Sequence, residues 1–214
     1  IGGVVNVLTD HHIINQHPHD GLHMTLNATG GTGNAQGGGS GSFEYGKGDW
    51  MVYGSGGGMR TGDYNTPLGK VLNSATEMTN SKFGVGRYGE RFSFNANFQN
   101  YETTYGIPAA SPDDEQPLLN MTRKAARFNG ALKQLGGGFE QFEYDLNYSD
   151  YKHKEIVDGE IGTQFFNKQF NYRGVFDQKK KGHLTGSVGY WGMHRDYKAV
   201  GDEALTPPVT QNSF

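Results

Sequence analysis

The sequence predicts an all-β chain, an antiparallel transmembrane β-barrel from which about nine strands are present, and three observations carry that expectation. First, apolar side chains recur at every second position over long stretches. Phe142, Tyr144, Leu146 and Tyr148 alternate with Gln141, Glu143, Asp145 and Asn147. Successive side chains of a strand point to opposite faces, so this segment has one greasy and one polar face. Second, the composition is 34% hydrophobic yet 13% aromatic, with 34 glycines in 214 residues. A packed soluble domain uses about 45–50% apolar residues, whereas a barrel in a bilayer needs them only on its outward face. Third, short turns alternate with long polar loops along most of the chain, as short periplasmic turns and longer extracellular loops do.

Residues 1–9 read as a short buried strand and 10–20 as a polar linker. The strands then follow. The first is expected near 21–29, where Leu22, Met24, Leu26 and Ala28 share one face, and a Gly-rich loop over 30–39 precedes a second at 40–46. A tight turn at 47–49 leads to a third over 50–63. After the loop 64–76 come strands at 77–88 and 91–105, joined by a turn at 89–90. The Pro- and acid-rich stretch 106–119 is a long loop. Residues 121–134 form the next strand, because a dyad phase and Gly130 outweigh the helical reading of the stretch from Met121 to Leu132. Gly136-Gly137-Gly138 turns into 139–156, Asp158-Gly159 into 162–178, and Lys181-Gly182 into 183–199. The tail holds Pro207-Pro208, and Ser213-Phe214 opens a further strand.

Composition also excludes. No apolar run approaches the roughly 18 residues of a membrane-spanning helix. Without cysteine there is no disulfide framework, thiol catalysis or cysteine-ligated metal. A formal net charge of −3 with scattered Lys and Arg leaves no nucleic-acid footprint, and Lys179-Lys180-Lys181 reads as a solvated turn. A mean hydropathy of −0.68 does not oppose a membrane location when the interior of the barrel is wet. The first residues lack the charged-then-apolar pattern of an export leader, which predicts a processed chain or, in preference, a sequence that begins inside a longer polypeptide.

Chemistry is sparse. No nucleophile elbow, zincin motif or paired cysteines occur, so no catalytic residues are assigned and no cofactor is expected. Gly54-Ser55-Gly56-Gly57-Gly58 lacks the Gly-Lys-Ser/Thr ending of a phosphate loop and sits in a strand pattern, which points to curvature or close strand contact. Imidazole is a common metal ligand, and His11, His12, His17, His19 and His23 fall close together, so the first four are candidate ligands in the linker. A polar linker is the plainer reading of that stretch. Asp150, His153, Glu155 and Asp158 are a second candidate set, placed in a surface loop suited to capturing a metal, against the plainer reading of a hydrated loop. Tyr144, Tyr148, Tyr172 and Phe176 are expected on the lipid face and in its aromatic girdle.

The opening Ile1-Gly2-Gly3-Val4-Val5-Asn6-Val7-Leu8-Thr9 resembles the strand that closes the plug domain of TonB-dependent outer-membrane receptors. Tyr105-Gly106-Ile107-Pro108, the stretch from Arg123 to Gly130, Tyr148 to His153, Gly162-Thr163, and Gly201-Asp202-Glu203-Ala204 before Pro207-Pro208 are similar to barrel segments of that family, in the same order. The zinc- and haem-uptake branch is the one they most resemble. The resemblance implies a barrel of about 22 strands around a plug, of which 1–9 would be the end of the plug, 10–20 the linker and 21–214 the N-terminal part of the barrel. It implies an active-transport receptor in the bacterial outer membrane, not an enzyme. Its partners would be membrane lipid, an extracellular metal or metal complex (zinc or haem ahead of ferric siderophore), and the TonB inner-membrane complex acting through plug residues that precede Ile1. Phe214 is similar to the terminal aromatic of a barrel-insertion signal, but the alternation before it is broken. The competing expectation is a self-contained small outer-membrane barrel with an adhesion, structural or hydrolase role, whose first and last strands must then pair. Loop lengths place the turns 47–49, 89–90, 135–138 and 179–182 inside, and 30–39, 64–76, 106–119, 157–161 and 201–212 outside.

Overall fold

A computed structural model describes residues 20–109, 111, 115–201 and 204–214. The expected plug-end strand and most of the linker lie outside the described residues. Those described form twelve strands and no helix: β1 Gly21–Gly31, β2 Gln36–Lys47, β3 Trp50–Thr61, β4 Asn65–Thr66, β5 Gly69–Lys70, β6 Thr76–Tyr88, β7 Phe92–Gly106, β8 Leu118–Lys133, β9 Phe139–Val157, β10 Glu160–Gln178, β11 Ser187–Gly201 and β12 Val209–Ser213. Ten of them make one antiparallel sheet in the order β1-β2-β3-β6-β7-β8-β9-β10-β11-β12, while β4 and β5 form a small hairpin within one connection. The sheet is open. Among the described residues β1 pairs only with β2 and β12 only with β11, so they do not make the closure that a self-contained small barrel requires.

Register sorts the dyad into two continuous faces. One row runs Glu44, Tyr53, Gly84, Asn97, Arg127, Asn147 and Asn171 across the strands. The adjacent row, on the other face, runs Phe43, Gly54, Phe83, Phe98, Ala126, Tyr148 and Phe170. Burial is inverted relative to a soluble protein. The buried side chains, among them Met51, Tyr53, Ser93, Asn95, Asn129 and Thr163, lie on the polar face, toward which the sheet therefore curves. Large apolar residues of the other face stay open: Leu26 is 79% exposed, Met24 65% and Phe83 58%.

On that outward face, near the short turns, aromatic rings form a belt. Trp50 meets Phe94 edge-on at 5.9 Å, Phe94 meets Phe128 at 5.9 Å, and Phe128 meets Tyr144 at 5.3 Å. Phe142 then stacks on Phe176 at 4.4 Å, and Tyr172 lies 6.4 Å from Tyr190. Several rings fold over a glycine of the next strand, as Tyr190 does over Gly174 and Tyr172 over Gly192. A side chain at either glycine would collide with the ring, so the small residue sets the close approach. The Gly54–Gly58 run follows the same logic. It lies inside β3, where a Cβ on Gly57 would come within 2.8 Å of the Ser40 Cβ and 3.0 Å of the Gly39 carbonyl oxygen.

Four expectations are corrected. The Gly-rich segment 30–39 is mostly strand, with only 32–35 turning, because Gly37, Gly38 and Gly39 pair with Arg60, Met59 and Gly58 through backbone alone and residues 36–39 pair with β1 on the other side. The last hairpin turn extends to residue 186. Lys181 and Leu184 exchange backbone hydrogen bonds around Gly182 (φ 63°), so Leu184 is in the turn, 70% exposed, instead of in the strand. The final strand starts at Val209, directly after the prolines, and Phe214 lies beyond it. Residues 150–156 belong to β9, as the strand expected over 139–156 has them, so Asp150, His153 and Glu155 are not in a surface loop, and a two-residue turn at Asp158 (φ 52°) and Gly159 (φ 83°) follows.

The two long connections are tied together. The Asn73 side-chain amide donates to the carbonyls of Ile107 and Pro117, both at 2.9 Å. Beside it, the Asp63 carboxylate accepts the backbone N–H of Ser74 at 2.9 Å and of Ala75 at 3.1 Å, with Lys70 at 3.4 Å. The Ser74 hydrogen bond first, then Lys70 and Ala75, hold the Asp63 pKa below its usual value. A depressed carboxylate stabilises the loop at pH above the ordinary range near 4, and the contribution vanishes as pH falls through the lowered folded value. Amide-exchange protection at Ser74 and Ala75 should therefore hold from neutrality to about pH 4 and fall in stronger acid. Protection unaffected by acid, or by Asp63→Asn at neutral pH, would contradict this role.

Candidate functional site on the concave face

β7 supplies the centre of the concave face. Ser93, Asn95, Asn97 and Gln99 are two residues apart, so all point the same way. Asn95, Asn97 and Gln99 form a ladder in which Gln99 Nε2 donates to Asn97 Oδ1 at 3.1 Å and Asn97 Nδ2 to Asn95 Oδ1 at 3.2 Å. Tyr53 Oη donates to the same Asn95 oxygen at 2.8 Å, and Asn95 Nδ2 donates to Tyr88 Oη at 3.2 Å. Tyr53 and Tyr88 in turn cover Gly84 and Gly86, which leave room for the rings. Lys82 Nζ stands 5.2 Å from the Tyr53 ring centroid.

Charged groups on this wall are hydrogen-bonded to their neighbours. Arg127 on β8 grips Asp145 on β9 through Nε at 3.0 Å and through its terminal nitrogen. Further down, Gln141 Nε2 reaches both Glu143 Oε1 at 2.9 Å and Asp177 Oδ2 at 2.8 Å. Toward the other end Arg195 donates to Asn167 Oδ1 at 2.8 Å. Such a surface of amides, hydroxyls and paired ions can hydrogen-bond a hydrated or protein filling, because its groups are oriented before anything arrives. Its signal in sequence is the polar half of the dyad; what a sequence does not carry is the register that brings Arg127 to Asp145.

The predicted ligand sets fare differently. His11, His12, His17 and His19 lie outside the described residues. His23 is on β1, opposite Glu44. Asp150 and His153 cannot serve one site, since Asp150 is on the outward face in register with Lys124 and Lys168, whereas His153 and Glu155 are on the concave face. His153 lies beside Phe165, ring centroids 5.3 Å apart, with the Tyr151 hydroxyl 3.4 Å from its Nδ1. Asp158 is in the hairpin turn. Among the described residues no three His, Cys, Asp or Glu side chains converge as a metal site. Spacing alone proposed this set, and the period of two divides it.

No family model matches the chain, and no curated protein matches it.

Proposed function

We propose that this chain is one arc of an outer-membrane β-barrel of the TonB-dependent receptor type, importing a scarce metal ion or metal complex. The observation that supports the barrel is the inverted burial: polar groups in the concavity and an open apolar exterior bordered by an aromatic belt. An exposed apolar surface on so many strands needs a cover, and lipid suits its breadth and its aromatic border. On β9 the outward apolar positions from Phe142 to Tyr148 span about 20 Å of strand, or roughly 15 Å along the normal at a tilt near 40°, which fits inside the ~25 Å apolar band of such barrels. The two unpaired edges favour an arc over a complete small barrel. Transport, the TonB partner and the metal-type substrate rest on the sequence resemblance.

Uptake of zinc, haem and ferric siderophore in a receptor-deleted strain carrying the full-length gene tests the reading. One of the three should enter only when both the receptor and the TonB complex are present, and uptake indifferent to the TonB complex would sink it. Topology has its own check, since the chain contains no cysteine to interfere. Leu68→Cys, fully exposed between β4 and β5, should react with an impermeant maleimide in intact cells, and Lys180→Cys in the opposite turn should not. The reverse pattern would invert the orientation.

A further inference from the structure

The period of two that separates His153 from Asp150 gives it other company. One register row of the concave face runs Met59 on β3, Met78 on β6, Thr103 on β7, Met121 on β8 and His153 on β9. Three of the chain's six methionines therefore share a single rung with one imidazole. The rung lies at the end of the sheet that carries the 62–75 and 107–117 connections, three rows past Arg127 and Asn147. Met59 is engaged, because its sulfur accepts Gln36 Nε2 at 3.3 Å. Thr103 is buried and turns its hydroxyl to the Glu77 carbonyl at 3.0 Å. What remains on the rung is the half-buried pair Met78 and Met121, on either side of Thr103, and the His153 ring.

His153 carries the second observation. The Tyr151 hydroxyl lies 3.4 Å from its Nδ1, and Phe165 flanks the ring at 5.3 Å. With the proton on Nδ1 toward that oxygen, Nε2 presents a lone pair. Nε2 is buried and has no hydrogen-bond partner, a state that few buried polar atoms keep. We propose that Met78, Met121 and His153 bind copper(I), a proposal that goes beyond the import reading above and needs only the register. Thioethers are soft ligands that select copper(I), and imidazole binds copper as well. Two strand spacings put the backbones of Met78 and Met121 about 10 Å apart. Three rotatable bonds let each thioether lean toward the other over Thr103, on a wall that curves to this side. Zinc prefers thiolate, imidazole and carboxylate, and the rung offers it a single imidazole.

Competition with bicinchoninate, which colours when it holds copper(I), reads the site on the full-length protein in mild detergent without oxygen. The protein should withdraw the metal. Replacing Met78 and Met121 together by Leu should weaken its hold at least about a hundredfold, since residues that merely support metal ligands are already worth about 10–100-fold. Leucine nearly keeps the volume of methionine, so the double variant should resist heat as its parent does. His153→Gln should weaken binding too, whereas Met193→Leu, on the same face in the row of Asn147 and Asn171, should not. X-ray absorption by the bound copper should show sulfur and imidazole neighbours. A parent that leaves the metal with bicinchoninate, a double variant that binds as tightly as its parent, an equal loss in Met193→Leu, or a copper shell without sulfur overturns the proposal. TonB-dependent zinc uptake by a protein that ignores copper(I) would sink this site and leave the import reading standing.

Discussion

Leu146→Arg is expected to cost about 2–4 kcal/mol of stability in the membrane, the penalty for a charge near the midplane of a barrel's lipid face. Leu146 lies between Phe128 and Tyr172 in register, in the third of the four outward apolar rows of β9. Its long neighbours leave an arginine no short route to water. Asn147→Arg, one residue along, places the same charge among Arg127 and Asn171 on the concave face and should cost far less. Equilibrium unfolding from lipid vesicles would measure both. If the two substitutions cost the same, the assignment of faces fails, since that assignment is what makes adjacent residues differ.

Gly130→Val should destabilise the sheet by about 1–3 kcal/mol, the usual range for forcing extra atoms into a packed position. Gly130 sits in β8 between Phe94 and Tyr144. A Cβ there would collide with the Ser93 carbonyl oxygen and approach the Tyr144 hydroxyl to 2.5 Å and the Phe94 Cα to 2.9 Å. Two of those three contacts are backbone, so rotating one side chain does not relieve them, and β7 itself must move. Gly136→Ala, in the following turn with nothing within 4 Å of the added carbon, serves as the comparison and should be near neutral. The shift in the temperature at which the folded form is lost on a semi-native gel gives the readout. A Gly130→Val protein as heat-resistant as its parent would mean that the β7–β8 spacing is wider than described.

Sequence legibility varied along the chain for physical reasons. β9 and β10, with 19 residues each, are plain because apolar residues fall on one phase of the dyad, from Phe142 to Tyr148 and at Phe166, Phe170, Tyr172 and Phe176. The start of β2 was hidden because Gly37, Gly38 and Gly39 have no side chains to alternate, and their pairing is made by backbone. Leu184 misled in the opposite way, an apolar residue at the right phase that the turn at Gly182 keeps out of the strand. For the site, the polar character of the inner wall was readable from Asn95, Asn97 and Gln99, but its specific pairs were not. Arg127 and Asp145 are 18 residues apart and meet only because the five-residue turn after β8 fixes the register. Asp150 and His153 erred for the converse reason. Nearness in sequence is not nearness in space here, because an odd spacing in a strand puts two side chains on opposite faces of the sheet.

The strictly serial order of the large sheet has a consequence for how it forms. Each strand bonds only to the one before and the one after it, and even β3 and β6 are separated by no more than the 62–75 connection. Every closure is therefore short, and loop entropy grows only slowly with loop length. A chain of this kind can be built hairpin by hairpin without any earlier pairing having to dissolve, and at each stage the newest strand is the template for the next. Growth leaves two live ends until the last strand arrives, and these ends are where another chain would add if the membrane were slow to receive them. On the proposed membrane-barrel reading, speed of insertion, more than final stability, is then what guards this protein against its own kind.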